Sequence, residues 1–389
     1  MRLAVVTSHP IQYHAPWFRA MARQPGLDLE VLYCHQATKK EQSDAGFGVE
    51  FDWDRSLLDG YQYSFLRNVA PAPSVARFSG LDTPELSTKL SDYDSVLVSG
   101  WHYKSAWQAM WTCWRRKIPV MMRSDSHLHT KRGGLKKILK ELPYRSFISR
   151  LDACLPVGRW SKEYFLHYGA QTDRIFTVPH GVDDFFERQA ASFVSTRVGL
   201  RMKWGLEADQ TVFLFVGKFL PIKRPLDFVR AIQRAHQIDR RIAGLMVGDG
   251  PLREQCQLLA RELNLPIQFS GFLNQSQMSQ GYVAADALVL PSEGETWGLV
   301  VNEAMSCRRP CLVSDQVGCG PDLVSNDETG FIFALGNIGA LASRMIDCAS
   351  NPERLATMGE NAKMRIANFS IPAAVEGVSV AMDRIRRHS

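Results

Sequence analysis

Residues 287–314 read ALVLPSEGETWGLVVNEAMSCRRPCLVS and decide the fold, because they place a strand, a polar loop, a helix and a second strand in that order. The apolar runs at 287–290 and 310–314 predict buried strands, and 299–305 predicts a helix between them. A strand that returns through a helix to another strand is the unit of a parallel sheet covered on both faces.

The same alternation extends in both directions from this unit. Upstream, strands are predicted at 212–216, 243–247 and 267–269, with helices at 225–235, 251–263 and 275–284. An earlier series has strands at 2–7, 28–33, 95–99 and 119–123, with helices at 16–24 and 105–116. A Pro-, Gly- and Asp-rich break at 178–184 separates the two series, and only helices, at 352–367 and 371–387, are predicted after Asn351.

This pattern predicts an α/β fold of two doubly wound, Rossmann-like domains that face each other across a cleft. The first domain would comprise residues 1–185 together with a C-terminal helix, residues 371–389, that crosses back to it. The second would comprise residues 186–370.

Composition excludes several other classes of protein. The 389 residues are 45% hydrophobic and 22% charged, which is typical of a globular protein and not of a disordered one. No apolar run is long enough for a membrane span or a signal peptide, so a cytoplasmic protein is expected. The eight cysteines form no CxxC pair, which predicts free thiols.

Positive charge is concentrated in one segment. Residues 101–150 contain twelve Lys and Arg against Asp125 and Glu141, a balance of +10 in a chain whose net charge is +6. The same segment contains four of the nine tryptophans, and apolar residues recur at helical spacing among its lysines. Lys131–Arg150 is therefore a candidate for binding an anionic membrane surface. The alternative is a solvated helix face over a Trp-rich core.

Ligands of open α/β sheets bind beyond the carboxyl ends of the strands. After the strand at 212–216, Gly217 and Lys218 begin a loop that reaches Lys223 and opens a helix. Two ammonium groups at this place can neutralise a diphosphate without a metal ion. Gly248 follows the next strand and allows close backbone approach, and Phe272 follows the third, where an aromatic ring could lie against a nucleobase.

The loop at 291–298 carries the strongest signal. Glu295 lies in the loop and Glu303 on the helix that follows, so one carboxylate stands on each side of the helix start. Backbone N–H groups there predict an anion site suited to phosphate, formed by Thr296, Trp297, Gly298, Leu299 and Val300. The apolar neighbours of Glu303 indicate a buried carboxylate retained for a ligand, and the alternative is a polar residue on a solvated helix edge.

The Glu295 and Glu303 pair, together with VGKFLPIKRP, VGDGP, FSGF and VPHGVD, resembles the retaining glycosyltransferases of family 4, which have the GT-B fold. The resemblance implies that Glu295 binds the hydroxyls of the donor sugar and Glu303 the ribose. It also implies that Lys218 and Lys223 bind the diphosphate of a UDP- or GDP-sugar and stabilise the leaving group, without a metal cofactor and with retention of configuration. Lys218 stands where the family usually has Arg, which keeps the charge but loses the bidentate fork.

Loops of the first domain depart from this resemblance, since residues 8–16 replace a glycine-rich loop. The candidates for binding an acceptor hydroxyl are His9, His14, His102, Arg123 and Asp125. Asp125 would orient the hydroxyl or accept its proton, the alternatives being a structural ion pair with Arg123 and, for His9 and His14, simple loop histidines. The Asp-x-Asp triplets at 52–54 and 92–94 resemble a metal motif, but neither follows a strand, so no metal site is expected.

These features predict a glycosyltransferase that moves a sugar to a glycan or lipid-linked acceptor, at the inner face of the cytoplasmic membrane if the basic segment binds lipid. Two alternatives remain open at this point. One is a GT-B isomerase or epimerase that acts on the nucleotide sugar itself, and the other is a non-catalytic nucleotide-binding relative. No nucleic-acid partner is expected.

Overall fold

The computed structural model describes residues 1–36, 53–129 and 134–388, except for the side chains of residues 134–140 and 388. The described chain divides into two compact units. The first contains residues 1–36, Ser56–Gly181 and 370–388, and the second contains Val182–Phe369 and residues 53–55. The boundary predicted at 185 lies four residues beyond this division, and residues 53–55 were predicted in the other domain.

A six-stranded parallel sheet forms the centre of the first unit. Its strands are β1 (Arg2–Thr7), β2 (Asp28–Tyr33), β3 (Gln62–Phe65), β4 (Ser95–Ser99), β5 (Val120–Ser124) and β6 (Ala153–Pro156), in the order β3-β2-β1-β4-β5-β6. Helices of this unit are Ala15–Ala22, Leu86–Lys89, Lys104–Arg116, Gly134–Ile148, Arg159–His167 and Ile371–His388. Short 3₁₀ turns occur at Phe78–Gly80, Leu90–Asp92 and Thr172–Arg174.

Both faces of this sheet are covered by apolar side chains. Successive residues of a strand point to opposite faces, so Ala4 and Val6 join one core while Leu3 and Val5 join the other. The C-terminal helix Ile371–His388 belongs to the second of these cores, because its apolar residues recur at helical spacing. This confirms the prediction that the last helix returns to the first domain.

The second unit repeats the topology of the first. Its strands are β7 (Thr211–Val216), β8 (Ile242–Val247), β9 (Ile267–Gly271), β10 (Ala287–Leu290), β11 (Cys311–Ser314) and β12 (Gly330–Phe333), in the parallel order β12-β11-β10-β7-β8-β9. Every residue of β7 and β8 is buried. With β7 as the first strand this is the order 3-2-1-4-5-6 of the first sheet, so two doubly wound domains are confirmed.

Helices of the second unit are Phe185–Phe193, Arg197–Lys203, Pro225–Ile238, Arg253–Glu262, Gln275–Ala284, Leu299–Ser306, Gly320–Leu323, Ile338–Ser350 and Pro352–Ile366, with 3₁₀ turns at Val194–Thr196 and Pro221–Lys223. The first two of these helices lie before residue 205, where the sequence analysis predicts no element. All eight cysteines are buried free thiols, as predicted. None of the helices described has the length and apolar character needed to cross a bilayer.

Candidate functional site

The switch point of the second sheet lies between β7 and β10. The chain leaves β7 toward β8 on one side and reaches β10 on the other, so the loops after β7 and β10 diverge from adjacent strand ends. The β7 loop carries Lys218 and Lys223, and the β10 loop carries Glu295. A hydrogen bond of 2.7 Å from Glu293 N to Ile222 O joins the two loops. The fold therefore brings these sequence-predicted residues to one edge of the sheet.

The glycine after β8 is required by the packing of two loops. A Cβ on Gly248 would lie 2.0 Å from the carbonyl oxygen of Gly217, so no other residue fits this position. Phe219 N donates to Asp249 O at 2.8 Å and fixes the same pair of loops. Gly217 differs, because a Cβ placed there would have no heavy atom of the described residues within 4 Å. The open backbone position is thus Gly217.

Residues that follow β11 hold the β10 loop in place. Glu295 N donates to Gln316 O at 3.3 Å, and Gly318 N donates to Glu295 O at 3.1 Å. Gly298, at φ 106°, then turns the chain into the helix Leu299–Ser306. The first N–H groups of a helix have no intrahelical acceptor, so this helix start is suited to an anion.

An ion pair links the two loops through their side chains. Lys223 Nζ lies 2.5 Å from Glu295 Oε1, and the two side chains are 25% and 12% exposed. Ser292 Oγ also donates to Glu295 Oε1 at 2.9 Å. The cation predicted for the diphosphate and the carboxylate predicted for the sugar are therefore paired with each other in this structure.

Lys218 lies half-buried at the start of the β7 loop. Burial, and then the positive charge of Lys223, lower the pKa of the Lys218 ammonium. Two cations so placed repel each other, and a polyanion between them would relieve this repulsion. With Glu295 paired to Lys223, the two lysines still outnumber the one carboxylate, so the electrostatics of the loop favour an anionic ligand.

Glu303 is buried, as its apolar neighbours predict, with 3% of its surface exposed. The hydroxyl of Tyr282, which is itself fully buried, donates to Glu303 Oε2 at 2.6 Å. A carboxylate in such surroundings requires hydrogen bonds. Tyr282 therefore fixes the orientation of this side chain, and the solvated helix edge is the wrong alternative.

The other predicted donor residues occupy different environments. Trp297 is buried, and its Nε1 donates to Asn302 Oδ1 at 2.8 Å, so its indole belongs to the protein core. Thr296 is exposed, Leu299 and Val300 are half-buried at the helix start, and Phe272 is half-buried directly after β9. Trp297 can reach a ligand at this place only through its backbone.

A separate cavity of about 220 Å³ opens at the carboxyl edge of the first sheet. The ends of β1, β4 and β5 contribute its walls, and it gathers the predicted residues His14, His102, Arg123 and Asp125 together with His180. His9 is absent from the lining, and its Nδ1 lies 3.0 Å from Ser8 Oγ. Four of the five acceptor candidates thus share one cavity.

The imidazoles of this cavity are held in their neutral form. Burial, followed by the charge of Arg123, lowers the pKa of His14 to about 3 and that of His180 well below its usual value. Burial also lowers the pKa of His102, against the opposing effect of Asp125. His14 Nδ1 is buried with no hydrogen-bond partner among the described residues. Neutral rings of this kind can exchange hydrogen bonds with hydroxyl groups.

Arg123 lines the cavity and also has partners inside the protein. Its Nε donates to Val178 O at 3.2 Å and its Nη2 to Pro179 O at 3.1 Å, while the guanidinium lies 4.7 Å from the ring centroid of Trp17. Arg123 thus bonds to backbone carbonyls, and not to Asp125 in the structural ion pair that was the alternative prediction. The arginine therefore anchors the segment that carries His180, and Asp125 is the charged carboxylate of the cavity.

The Asp-x-Asp triplets have structural partners. Asp54 accepts hydrogen bonds from Ser276, and Asp94 accepts one of 2.8 Å from Arg2 N, while Asp52 lies outside the described residues. Among the residues described, no three His, Cys, Asp or Glu side chains are grouped to hold a metal ion.

Part of the basic segment also lies outside the description, namely residues 130–133 and the side chains of 134–140. The helix Gly134–Ile148 nevertheless packs Phe147 against Trp101 and Trp107, with ring centroids 5.5 and 5.0 Å apart. Trp111 remains 54% exposed and Leu142 79% exposed. The tryptophans thus divide between the core and the surface.

Sequence reasoning missed Tyr282, Ser292 and His180 as members of these sites. Tyr282 lies on the helix Gln275–Ala284, 21 residues before Glu303, and it reaches Glu303 only through the tertiary fold. His180 stands in the quoted VPHGVD segment, and this was the one local signal that could have identified it.

Comparisons with known proteins match most of the chain. A family model described as glycosyl transferases group 1 matches residues 199–365, and one described as glycosyltransferase family 4 matches residues 18–184. The D-inositol 3-phosphate glycosyltransferase of Rhodococcus jostii is 30% identical over 343 residues, which cover 80% of this chain and 74% of that one.

D-inositol 3-phosphate glycosyltransferase 2 of Catenulispora acidiphila is 33% identical over 233 residues. This match covers 56% of this chain and about half, 52%, of the length of that relative. Among solved structures, Anabaena HepE in complex with UDP superposes with a TM-score of 0.73 at 16% identity, covering 98% of this chain and 100% of that one.

Proposed function

Since this chain belongs to the family 4 glycosyltransferases of GT-B fold, we propose that it transfers a sugar from a nucleotide diphosphate sugar to a hydroxyl acceptor, with retention of configuration and without a metal ion. The observation that carries the proposal is the pairing of Lys223 with Glu295 in loops that leave adjacent strand ends, with Lys218 in the first loop and Glu303 on the helix after the second. UDP-bound HepE shares the fold, which makes UDP the first nucleotide to test.

In the proposed reaction, the bond between the anomeric carbon and the diphosphate oxygen breaks and its electron pair leaves with the diphosphate. The acceptor oxygen forms the new bond from the same face, and its proton passes to the departing phosphate. The main requirement is stabilisation of negative charge on the leaving group, which Lys218, Lys223 and the helix start would supply.

The ion pair between Lys223 and Glu295 gives the donor a specific way to enter the site. A diphosphate would take over Lys223, and the released Glu295 would then accept hydrogen bonds from the sugar hydroxyls. The diphosphate would thus replace Glu295 as the partner of Lys223, and the sugar would replace Lys223 as the partner of Glu295. This exchange favours a ligand that contains both groups.

The cavity of the first unit is the proposed acceptor site. Its neutral imidazoles and its single carboxylate, Asp125, suit a polyhydroxylated acceptor better than an anionic one, because the guanidinium of Arg123 is already bonded to backbone carbonyls. Asp125 would orient the attacking hydroxyl.

The proposed acceptor is lipid-linked or membrane-associated, on the basis of the charge and tryptophan content of residues 101–150. The triple change of Lys136, Lys137 and Lys140 to Glu should release the protein from anionic vesicles at moderate salt. Unchanged sedimentation with the vesicles would contradict the membrane role.

The test of the proposal is thermal unfolding with UDP-, GDP-, ADP- and dTDP-sugars in the presence of EDTA, followed by a transfer assay with the donor that binds. Retention would be read from the anomeric configuration of the product by NMR. No shift with any nucleotide, or binding that EDTA abolishes, would contradict the proposal.

Two substitutions test the site itself. Lys223→Ala and Glu295→Ala should each lower transfer at least 100-fold, while the melting temperature changes by only a few degrees, because the pair is partly exposed. Transfer that persists in both variants would show that the reaction occurs elsewhere. Turnover of the nucleotide sugar without an acceptor would indicate the isomerase alternative.

A further inference from the structure

A second cavity of the second unit lies at the amino edge of its sheet, away from the carboxyl edge that carries Lys218 and Glu295. It has a volume of about 290 Å³ and is bordered by the start of β7, by Asp286 just before β10 and by Arg309 just before β11. The helices Arg197–Lys203 and Pro352–Ile366 close its sides. No role in the proposed reaction accounts for it.

The charged groups that line this cavity are predominantly positive. They are four arginines and two aspartates, namely Arg197, Arg201, Arg308, Arg309, Asp209 and Asp286. Arg308 is paired with Glu360 at 3.0 Å, and Asp209 is exposed to solvent. Three guanidinium groups therefore face one well-covered carboxylate, that of Asp286.

Asp286 is already fully engaged by two of these arginines and by the backbone. Arg201 Nη2 donates to Oδ2 at 2.7 Å, Val212 N donates to the same oxygen at 2.7 Å, and Arg197 donates to Oδ1. Arg201 also bonds the carbonyls of Ala208 and Gln210, which makes it a structural residue. The carboxylate thus has little capacity left for a third cation.

Arg309 is that third cation. Its Nε is buried and has no hydrogen-bond partner among the described residues. Burial, and then the charge of Arg197, lower the pKa of Arg309 to about 10, which leaves it protonated at neutral pH. Arg309 as a whole is half-buried, and an anion that accepts hydrogen bonds from its guanidinium would offset the cost of the unbonded N–H.

The helix Pro352–Ile366 shapes the cavity but does not supply its positive charge. Its first two turns, through Pro352, Leu355 and Ala356, form one wall. Its N-terminus is capped, because Asn351 Oδ1 accepts from Arg354 N at 2.9 Å and Pro352 has no N–H. Arginine is the side chain that best matches a phosphate group, so Arg309 and its neighbour Arg197 are the groups that would bind one here.

We propose that this cavity binds a phosphate group, either inorganic phosphate or the phosphate monoester of a small soluble molecule. The site is separate from the donor site, since it lies at the opposite edge of the sheet. It depends on Arg309 and Arg197, and not on Lys218 or Lys223.

Thermal unfolding of the full chain, titrated with potassium phosphate against potassium chloride at equal ionic strength, tests the proposal. We expect a saturable rise in the melting temperature of about 3 °C at tenfold the Kd, and a similar rise with glycerol 3-phosphate. A rise that does not saturate, or that chloride reproduces, would overturn the proposal.

A pair of matched variants locates the effect. Ala356→Glu places a carboxylate inside the cavity, and Thr357→Glu makes the same change one residue further along the helix, outside the lining. Ala356→Glu should abolish the response to phosphate and should melt at a higher temperature than Thr357→Glu in phosphate-free buffer. Equal phosphate responses in the two variants would place the anion elsewhere, at the donor loops for example.

Arg309→Gln provides a second measure that adds no charge. It should weaken phosphate binding at least tenfold, whereas Arg344→Gln, which removes an arginine paired with Asp347 on the surface, should not. An unchanged phosphate Kd in Arg309→Gln would overturn the proposal.

Discussion

Tyr282→Phe removes one hydroxyl and leaves the buried carboxylate of Glu303 without its 2.6 Å hydrogen bond. Loss of the hydrogen bond to a buried acceptor, which is then left unsatisfied, costs about 2 kcal/mol. For a unit of this size the melting temperature should fall by about 4–8 °C. If Glu303 binds the ribose, its looser orientation should also weaken nucleoside diphosphate binding about tenfold, which corresponds to about 1.4 kcal/mol.

Pyrophosphate separates this effect from general damage to the site. It would contact the lysines but not Glu303, so its affinity should change less than twofold in Tyr282→Phe. Calorimetric titrations with UDP, GDP and pyrophosphate would measure both affinities. The control is Tyr103→Phe, which removes a buried hydroxyl that donates to Ser99 O at 3.0 Å in the first unit. Equal weakening of nucleotide and pyrophosphate, or unchanged nucleotide affinity in a destabilised protein, would refute the reasoning.

Three further outcomes are expected. Gly377→Ala places a Cβ 2.2 Å from Thr177 O and should lower the free energy of unfolding by about 2 kcal/mol. Gly199→Ala places its Cβ in open space and should raise the free energy of unfolding by up to about 1 kcal/mol. Thermal unfolding that shows the reverse order would contradict this packing. His14 has a folded pKa of about 3, so the unfolded chain binds the extra proton below pH 6.5 and stability falls as the pH falls. Urea unfolding should show about 2 kcal/mol less stability at pH 5 than at pH 6.5 from this residue, and His14→Gln with an unchanged pH dependence would disprove it. Asp125→Asn should lower kcat about 100-fold while nucleotide affinity stays constant in the same titrations, and a change confined to nucleotide affinity would remove Asp125 from the acceptor site.

Most of the fold could be predicted because its central strands are continuous apolar runs between clear breaks. β1, β2, β4 and β10 have the predicted bounds, and the other predicted strands differ by one or two residues. The missed strands are short and carry weak signals. Gln62–Phe65 is a half-exposed edge strand, Ala153–Pro156 contains Cys and Pro, and Gly330–Phe333 begins with glycine.

The candidate site could be predicted only as far as its residues follow strand ends. Lys218, Lys223 and Glu295 were found by that rule. Lys223 and Glu295 are 72 positions apart in the chain. Sequence reasoning therefore assigned each of them to a part of the ligand and did not predict that they contact each other. Local sequence likewise gave no sign that Gly248 is needed for contact with Gly217 or that Arg123 binds backbone carbonyls.

The return of the last helix to the first unit affects how the protein is made. During synthesis, Trp17, Phe18 and Met21 leave the ribosome early, but their covering helix Ile371–His388 leaves it only after the whole second unit. The second unit, which lies between them in the chain, can complete its core first. Until then the first unit exposes an apolar face that holdase chaperones bind, and ribosomes that stall before residue 371 would release chains prone to aggregation and proteolysis.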